Sequence, residues 1–253
     1  MEEFNGLIKK FDVDVVYCAK RYENDGEFSL RDKSGLKEIS TDEITEPVMM
    51  SDNLKDRMNK FCTLKYISMS CNQFFKRTFI SKQNITFPPL RCGEDFFIGF
   101  RALCLAKKIL CVPNAWYVWR QTVDSVTRGE LPVEKLIHRW TDSLFKGVGI
   151  IDELMNKLKF FGEHPEYRHR VYELLIHYHA NRVIKLYAQI PAHLLDELIR
   201  RELSEVKDKT ALTAFLFSRM NVFNVQLNRQ SLMIRQMDAY IKQLQAQLKS
   251  LQG

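Results

Sequence analysis

The chain has 253 residues, 45% of them hydrophobic, and carries a formal net charge of +7. That length is enough to bury a sizeable core in one large domain or two modest ones, and that apolar fraction excludes wholesale disorder. The longest apolar runs, such as 214–217, fall far short of a membrane span, and the acidic opening MEEFNGLIKK lacks the apolar core of a signal peptide, so a cytoplasmic location is expected.

The charge is unevenly placed. The chain is acidic before Asp56, strongly basic from Arg57 to Val123, and mildly basic beyond. Such a field suits nucleic acid, an anionic lipid surface or a phosphorylated small molecule. No glycine-rich dinucleotide fingerprint, P-loop, zinc finger or RNA-binding signature accompanies it, so nucleic acid is not the expected partner. The six cysteines show no C-x-x-C spacing, which predicts free thiols in a reducing compartment and no metal site.

In chain order, residues 1–10 fit a short amphipathic helix. VDVVYCAKRY follows, β-branched and aromatic, and reads as a buried strand. Residues 23–47 are polar, with Gly26, Gly35 and Pro47, and suit a hairpin or an irregular connection. A polar helix is predicted around 52–62, then strand, turn and short helix in KYISMSCNQFFKRTFISKQNITFPP. From Glu94 the spacing turns helical, with Phe96, Phe97, Phe100 and Leu103 on one face. ILCVPNAWYVWR is strand-like and ends in the loop QTVDSVTRG. Trp116 and Trp119 are read onto one face of this strand, placed to stack a ligand ring or to pack in the core.

Beyond Gly129 the composition becomes helical, with apolar runs from Val133 to Met155, from Val171 to Tyr187, and from Pro191 to Leu203. Basic residues after Leu198, such as Arg200, Arg201 and Lys207, offer a peripheral contact to anionic membrane headgroups or form a solvated face. His177 and His179 are two apart, so on a helix they point to different sides and do not chelate. In the tail, Met220, Leu227, Ile234, Ile241 and Leu248 recur every seven residues, with Phe223, Gln230, Met237, Leu244 and Leu251 three after each. That heptad predicts a coiled coil and a homo-oligomer through 221–253; the alternative is one apolar face packed on its own domain.

Between Asp56 and Asp124 the only acidic residues are Glu94 and Asp95, set among eleven Lys and Arg. An isolated carboxylate pair in a basic surround can hold an anionic ligand and still accept a proton. The competing reading is that both residues simply begin a helix.

The stretch from Ser70 to Arg128 resembles the second half of the catalytic domain of family 2 glycosyltransferases. The residues that carry the resemblance are CNQFFKRTFISKQNITFPP, then GEDFFIGFRALCLAKKI, then VPNAWYVWRQTVDSVTR. The resemblance implies an α/β fold: a partial GT-A-like mixed sheet with helices over 1–129, then an all-helical extension over 130–220 and a C-terminal coiled-coil helix over 221–253. It implies an inverting transfer from a nucleotide-diphosphate sugar to a glycan acceptor hydroxyl, in bacterial cell-surface polysaccharide or glycoconjugate synthesis. Asp95 would be the general base, and Glu94 would orient the acceptor or fix the helix start. Arg120 would lie near the diphosphate charge. Asn72, Lys76 and Arg77 would line the acceptor side or form a solvated helix face, and Trp119 would contact sugar.

The resemblance also implies a divalent metal, manganese or magnesium, held by an Asp-x-Asp motif. That motif is not found where it is expected. Asp12-Val13-Asp14 fits the pattern but opens a strand rather than closing one, and is read as a decoy. The chain is therefore expected to begin just downstream of the metal-binding loop and to lack the donor-binding half. The alternative is a non-catalytic oligomerisation or interaction module derived from such an enzyme.

Overall fold

The computed structural model describes residues 2–24, 27, 34–120, 131–187, 194, 197 and 229–244. By internal contacts the chain divides into 1–207 and 208–253.

The first unit is a mixed α/β structure. Helix α1 (Glu2–Phe11) leads into β1 (Val15–Asn24), the centre of a five-stranded sheet. β1 pairs in parallel with β5 (Ile109–Arg120) and antiparallel with β2 (Lys37–Ser40) and β4 (Gln73–Phe75); β3 (Val48–Met49) closes the far side of β5. The polar segment 23–47 thus contains a strand, β2, with Glu38 opposite Tyr22. A 3₁₀ turn, Ser70–Asn72, precedes the short β4, and α3 (Arg77–Lys82) follows it. The turn and the strand therefore come in the reverse of the expected order.

Side chains alternate along β1 and separate the two faces. Val16 and Cys18 meet Phe4 of α1, together with Leu110 and Val112 of β5. Tyr17 points the other way and stacks on Tyr66 at 4.3 Å. On that second face lie α2 (Leu54–Cys62) and α4 (Glu94–Leu105), joined through Phe61 to Phe96 and Phe100, each at 5.3 Å between ring centroids. Asp14 fastens the start of the central pair: its Oδ2 accepts from the amides of Lys107 (2.7 Å) and Lys108 (3.2 Å). Arg57 fastens the far end of α4. It is buried, and its guanidinium donates to the carbonyls of Ser51, Leu103, Ala106 and Lys107, satisfying acceptors that the helix end leaves open.

The helices α5 (Val133–Lys157), α6 (Lys159–Glu163) and α7 (Pro165–Tyr187) share this second core. Gly147 of α5 lets Phe97 approach so closely that a Cβ there would lie 2.2 Å from Cζ. Tyr167 and Arg170 of α7 both donate to Asn59 Oδ1 of α2, at 2.8 and 3.2 Å. The expected boundary at 129/130, the loop QTVDSVTRG and the helix expected from Pro191 to Leu203 lie largely outside the described residues.

Of the second unit, residues 229–244 are helical. Ile234, Met237, Ile241 and Leu244, all at heptad core positions, are exposed there.

Candidate functional site

Asp95 stands in the first turn of α4. The helix starts after Gly93, whose φ of +75° is strained for a residue with a side chain, and a Cβ at that position would lie 2.8 Å from His179 Nε2. Of the two expectations for the carboxylate pair, the helix start is seen: Glu94 and Asp95 begin α4, and that start presents Asp95 to a defined partner. The amide of Ser70 donates to Asp95 Oδ1 at 3.1 Å, and Ser70 Oγ makes a short hydrogen bond to the same oxygen. Among the described residues nothing donates to Oδ2. Glu94 is half-buried and makes no hydrogen bond among the described residues.

The turn that carries Ser70 also carries Cys71 and Asn72. Asn72 is 1% exposed, so it is not part of a solvated face. Its Nδ2 has no hydrogen-bond partner among the described residues, nor have Nε and Nη1 of Arg21, although Arg21 Nη2 donates to Glu23 Oε1 at 2.7 Å. Burial pushes the Cys71 thiol up to about 11, with Asp95 adding to the rise and Arg21 opposing it. Those two couplings put Arg21, Cys71 and Asp95 in one electrostatic neighbourhood. Unpartnered buried donors are costly, and in native proteins they call for an explanation.

Tyr117 of β5 belongs to the same neighbourhood and was not marked out by the sequence. Its hydroxyl pKa is raised, chiefly by burial and then by Cys71 and Asp95, while Arg120 pulls it down. Arg120 ends β5, exposed, in register with Asn24. Trp119 is in register with Glu23 and, two residues from Tyr117, shares its face. Trp116 does not. It packs edge-on against Phe4 at 4.2 Å on the α1 side, because positions three apart on a strand diverge and β5 carries irregularities against β1. The two tryptophans lie on opposite faces, which corrects the expectation that they form one platform.

Lys76 and Arg77 lie at the other end of β4 from Ser70. Lys76 Nζ pairs with Asp12 Oδ1 at 2.7 Å beside the start of β1, and that contact holds the Asp12 carboxyl below its usual range. Arg77 is exposed at the start of α3. The two aspartates of Asp12-Val13-Asp14 are thus engaged by Lys76 and by backbone amides. Among the described residues no group of three or more His, Cys, Asp or Glu is placed to hold a metal ion.

The two histidines of α7 are not brought together. His179 is fully buried and His177 exposed, on different sides of α7. Burial pushes the His179 imidazole down to about 4; its Nδ1 lies 3.0 Å from the Leu175 carbonyl, so the neutral ring donates there. Cys92 is buried, its Sγ 3.6 Å from the Arg139 carbonyl and 3.5 Å from Ser143 Oγ. Burial raises its pKa and makes it a poor nucleophile.

No family model matches the chain, and no curated protein matches it. Among solved structures it is similar to S. aureus TarS residues 1–349 in complex with UDP-GlcNAc, with a TM-score of 0.38 and 12% identity. The match covers 87% of this chain and 63% of that one, so the chain spans less than two thirds of that structure. The likeness is coarse and partial.

Proposed function

We propose that this chain carries the acceptor side of an inverting glycosyltransferase that uses a nucleotide-diphosphate sugar, with Asp95 as general base. The observation that carries this reading is the asymmetric hold on Asp95: Ser70 occupies Oδ1 twice, and among the described residues Oδ2 has no donor. A carboxylate fixed in this way has one oxygen for orientation and one for chemistry. Oδ2 takes the proton of the acceptor hydroxyl as that oxygen attacks the anomeric carbon. The bond from that carbon to the diphosphate oxygen breaks with inversion, and the nucleoside diphosphate leaves with the electron pair.

The surround suits this reaction. Arg21 and Asn72 contribute buried donors beside the base, fit for acceptor oxygens. Arg120, at the end of β5, brings positive charge to the side on which negative charge develops, and Tyr117 and Trp119 form the wall between. Glu94 orients the acceptor at the helix start. A divalent cation, manganese or magnesium, is the expected companion of the diphosphate in the complete enzyme. The expected setting is bacterial surface polysaccharide or glycoconjugate assembly, with a peripheral membrane contact through the basic helical region.

The test is transfer by the complete enzyme, followed as nucleoside diphosphate release, with Asp95→Asn against wild type. Loss of general base catalysis lowers the rate by about 10²–10⁴-fold with the fold intact by circular dichroism. An equal rate in a folded variant would refute the assignment. It would favour a second reading, a non-catalytic oligomerisation module, which the exposed heptad face of 229–244 supports.

A further inference from the structure

The face of the sheet opposite Asp95 holds a cavity of about 490 Å³, within the range of small-ligand sites. Its shape comes from the strand pairing. The β1–β5 register shifts twice, between Cys18 and Lys20 and between Lys20 and Tyr22, so β5 gains a residue each time and bows away. Lys20 and Tyr22 of β1, Glu38 of β2, and Asn114 and Trp116 of β5 line the hollow.

Trp116 is 39% exposed, a large apolar ring open to solvent on one side. Its ring is not loose. Phe4 meets it edge-on at 4.2 Å and is itself stacked on Phe74 at 4.2 Å. Beside it, Lys20 Nζ and Glu38 Oε1 form an ion pair at 2.8 Å. The pair places donors next to acceptors, and its charges cancel. Among the described lining residues an anionic ligand therefore finds no uncompensated cation, whereas a ring with an apolar C–H face and hydroxyl edges finds both complements: the indole for the face, and the amide, carboxylate and ammonium groups for the edges.

We propose that this cavity is a binding site for a neutral saccharide ring, separate from the Asp95 site and independent of the catalytic reading above. Trp116 is the platform, and the Lys20–Glu38 pair reads the ring hydroxyls.

Saturation-transfer difference NMR on the full chain tests this with three probes, the methyl glycosides of glucose, galactose and N-acetylglucosamine, and with uridine alongside. The expected result is transfer to the ring C–H protons of at least one glycoside. Trp116→Ala weakens that binding about ten-fold by removing the stacking face. Glu38→Gln, a surface change that spares the Trp116–Phe4 contact, weakens it without unfolding, and Asp95→Asn leaves it unchanged. No transfer from any glycoside, transfer to uridine alone, undiminished transfer in both Trp116→Ala and Glu38→Gln, or loss confined to Asp95→Asn would each overturn the proposal.

Discussion

Gly99 lies mid-helix in α4, where propensity alone says that alanine should help by about 1 kcal/mol. The structure says the opposite. A Cβ at Gly99 would lie 2.4 Å from Ser68 Cβ, 2.5 Å from its Cα and 2.7 Å from its carbonyl oxygen. Those are main-chain and Cβ atoms, not the end of a flexible side chain, so relief requires the 68–70 segment to move off α4 by about 1 Å to reach ordinary contact near 3.5–4.0 Å. Forced overpacking of this kind costs about 1–3 kcal/mol, and a backbone obstacle puts this case at the upper end. Net of the propensity gain, Gly99→Ala is expected to lose about 2 kcal/mol and to lower Tm by about 4–8 °C. The same movement stretches the 3.1 Å bond from the Ser70 amide to Asp95, so activity falls along with stability. Thermal melts by near-ultraviolet circular dichroism measure the first effect. Gly149→Ala is the control, because a Cβ at Gly149 meets nothing within 4 Å, and it is expected to gain up to about 1 kcal/mol. A Gly99→Ala protein that melts at or above the wild-type temperature would refute the reasoning.

Three further outcomes are expected. Arg57→Lys keeps the charge but cannot reach four carbonyls, so it should cost about 3 kcal/mol in urea unfolding; a midpoint equal to wild type would show that the clamp is dispensable. His179 contributes a pH dependence. Its folded pKa of about 4 lies below the ordinary 6.5, so above pH 6.5 neither state is protonated and there is no penalty. Below 6.5 the unfolded chain binds the proton first, and stability falls by about 3 kcal/mol by pH 4; His179→Gln should flatten the Tm profile in that window. Deleting residues 221–253 should lower the number of subunits per particle by light scattering, and an unchanged subunit number would count against the coiled coil.

Much of the chain was legible from local pattern. The helices at α1, α4, α5 and α7 follow from apolar spacing, α2 was legible as a polar helix, and β1 and β5 follow from runs of β-branched and aromatic residues, because those patterns are set within each element taken alone. Glu94 and Asp95 stood out because acidic residues are absent around them, and the side-chain directions of His177 and His179 follow from their two-residue spacing.

What the sequence could not supply is partnership across distance. Ser70 meets Asp95 only because a 3₁₀ turn and a helix start, 25 residues apart, are brought together over β1. Tyr117 joins them, and Trp116 parts from Trp119, through the register of β5 on β1, which gains residues that no local period encodes. Asn72, and Nε and Nη1 of Arg21, are buried by what covers them, not by their own polarity. Local periodicity determines which elements form; pairing register and the closeness of glycine contacts, both products of the assembled core, determine which side chains share a site.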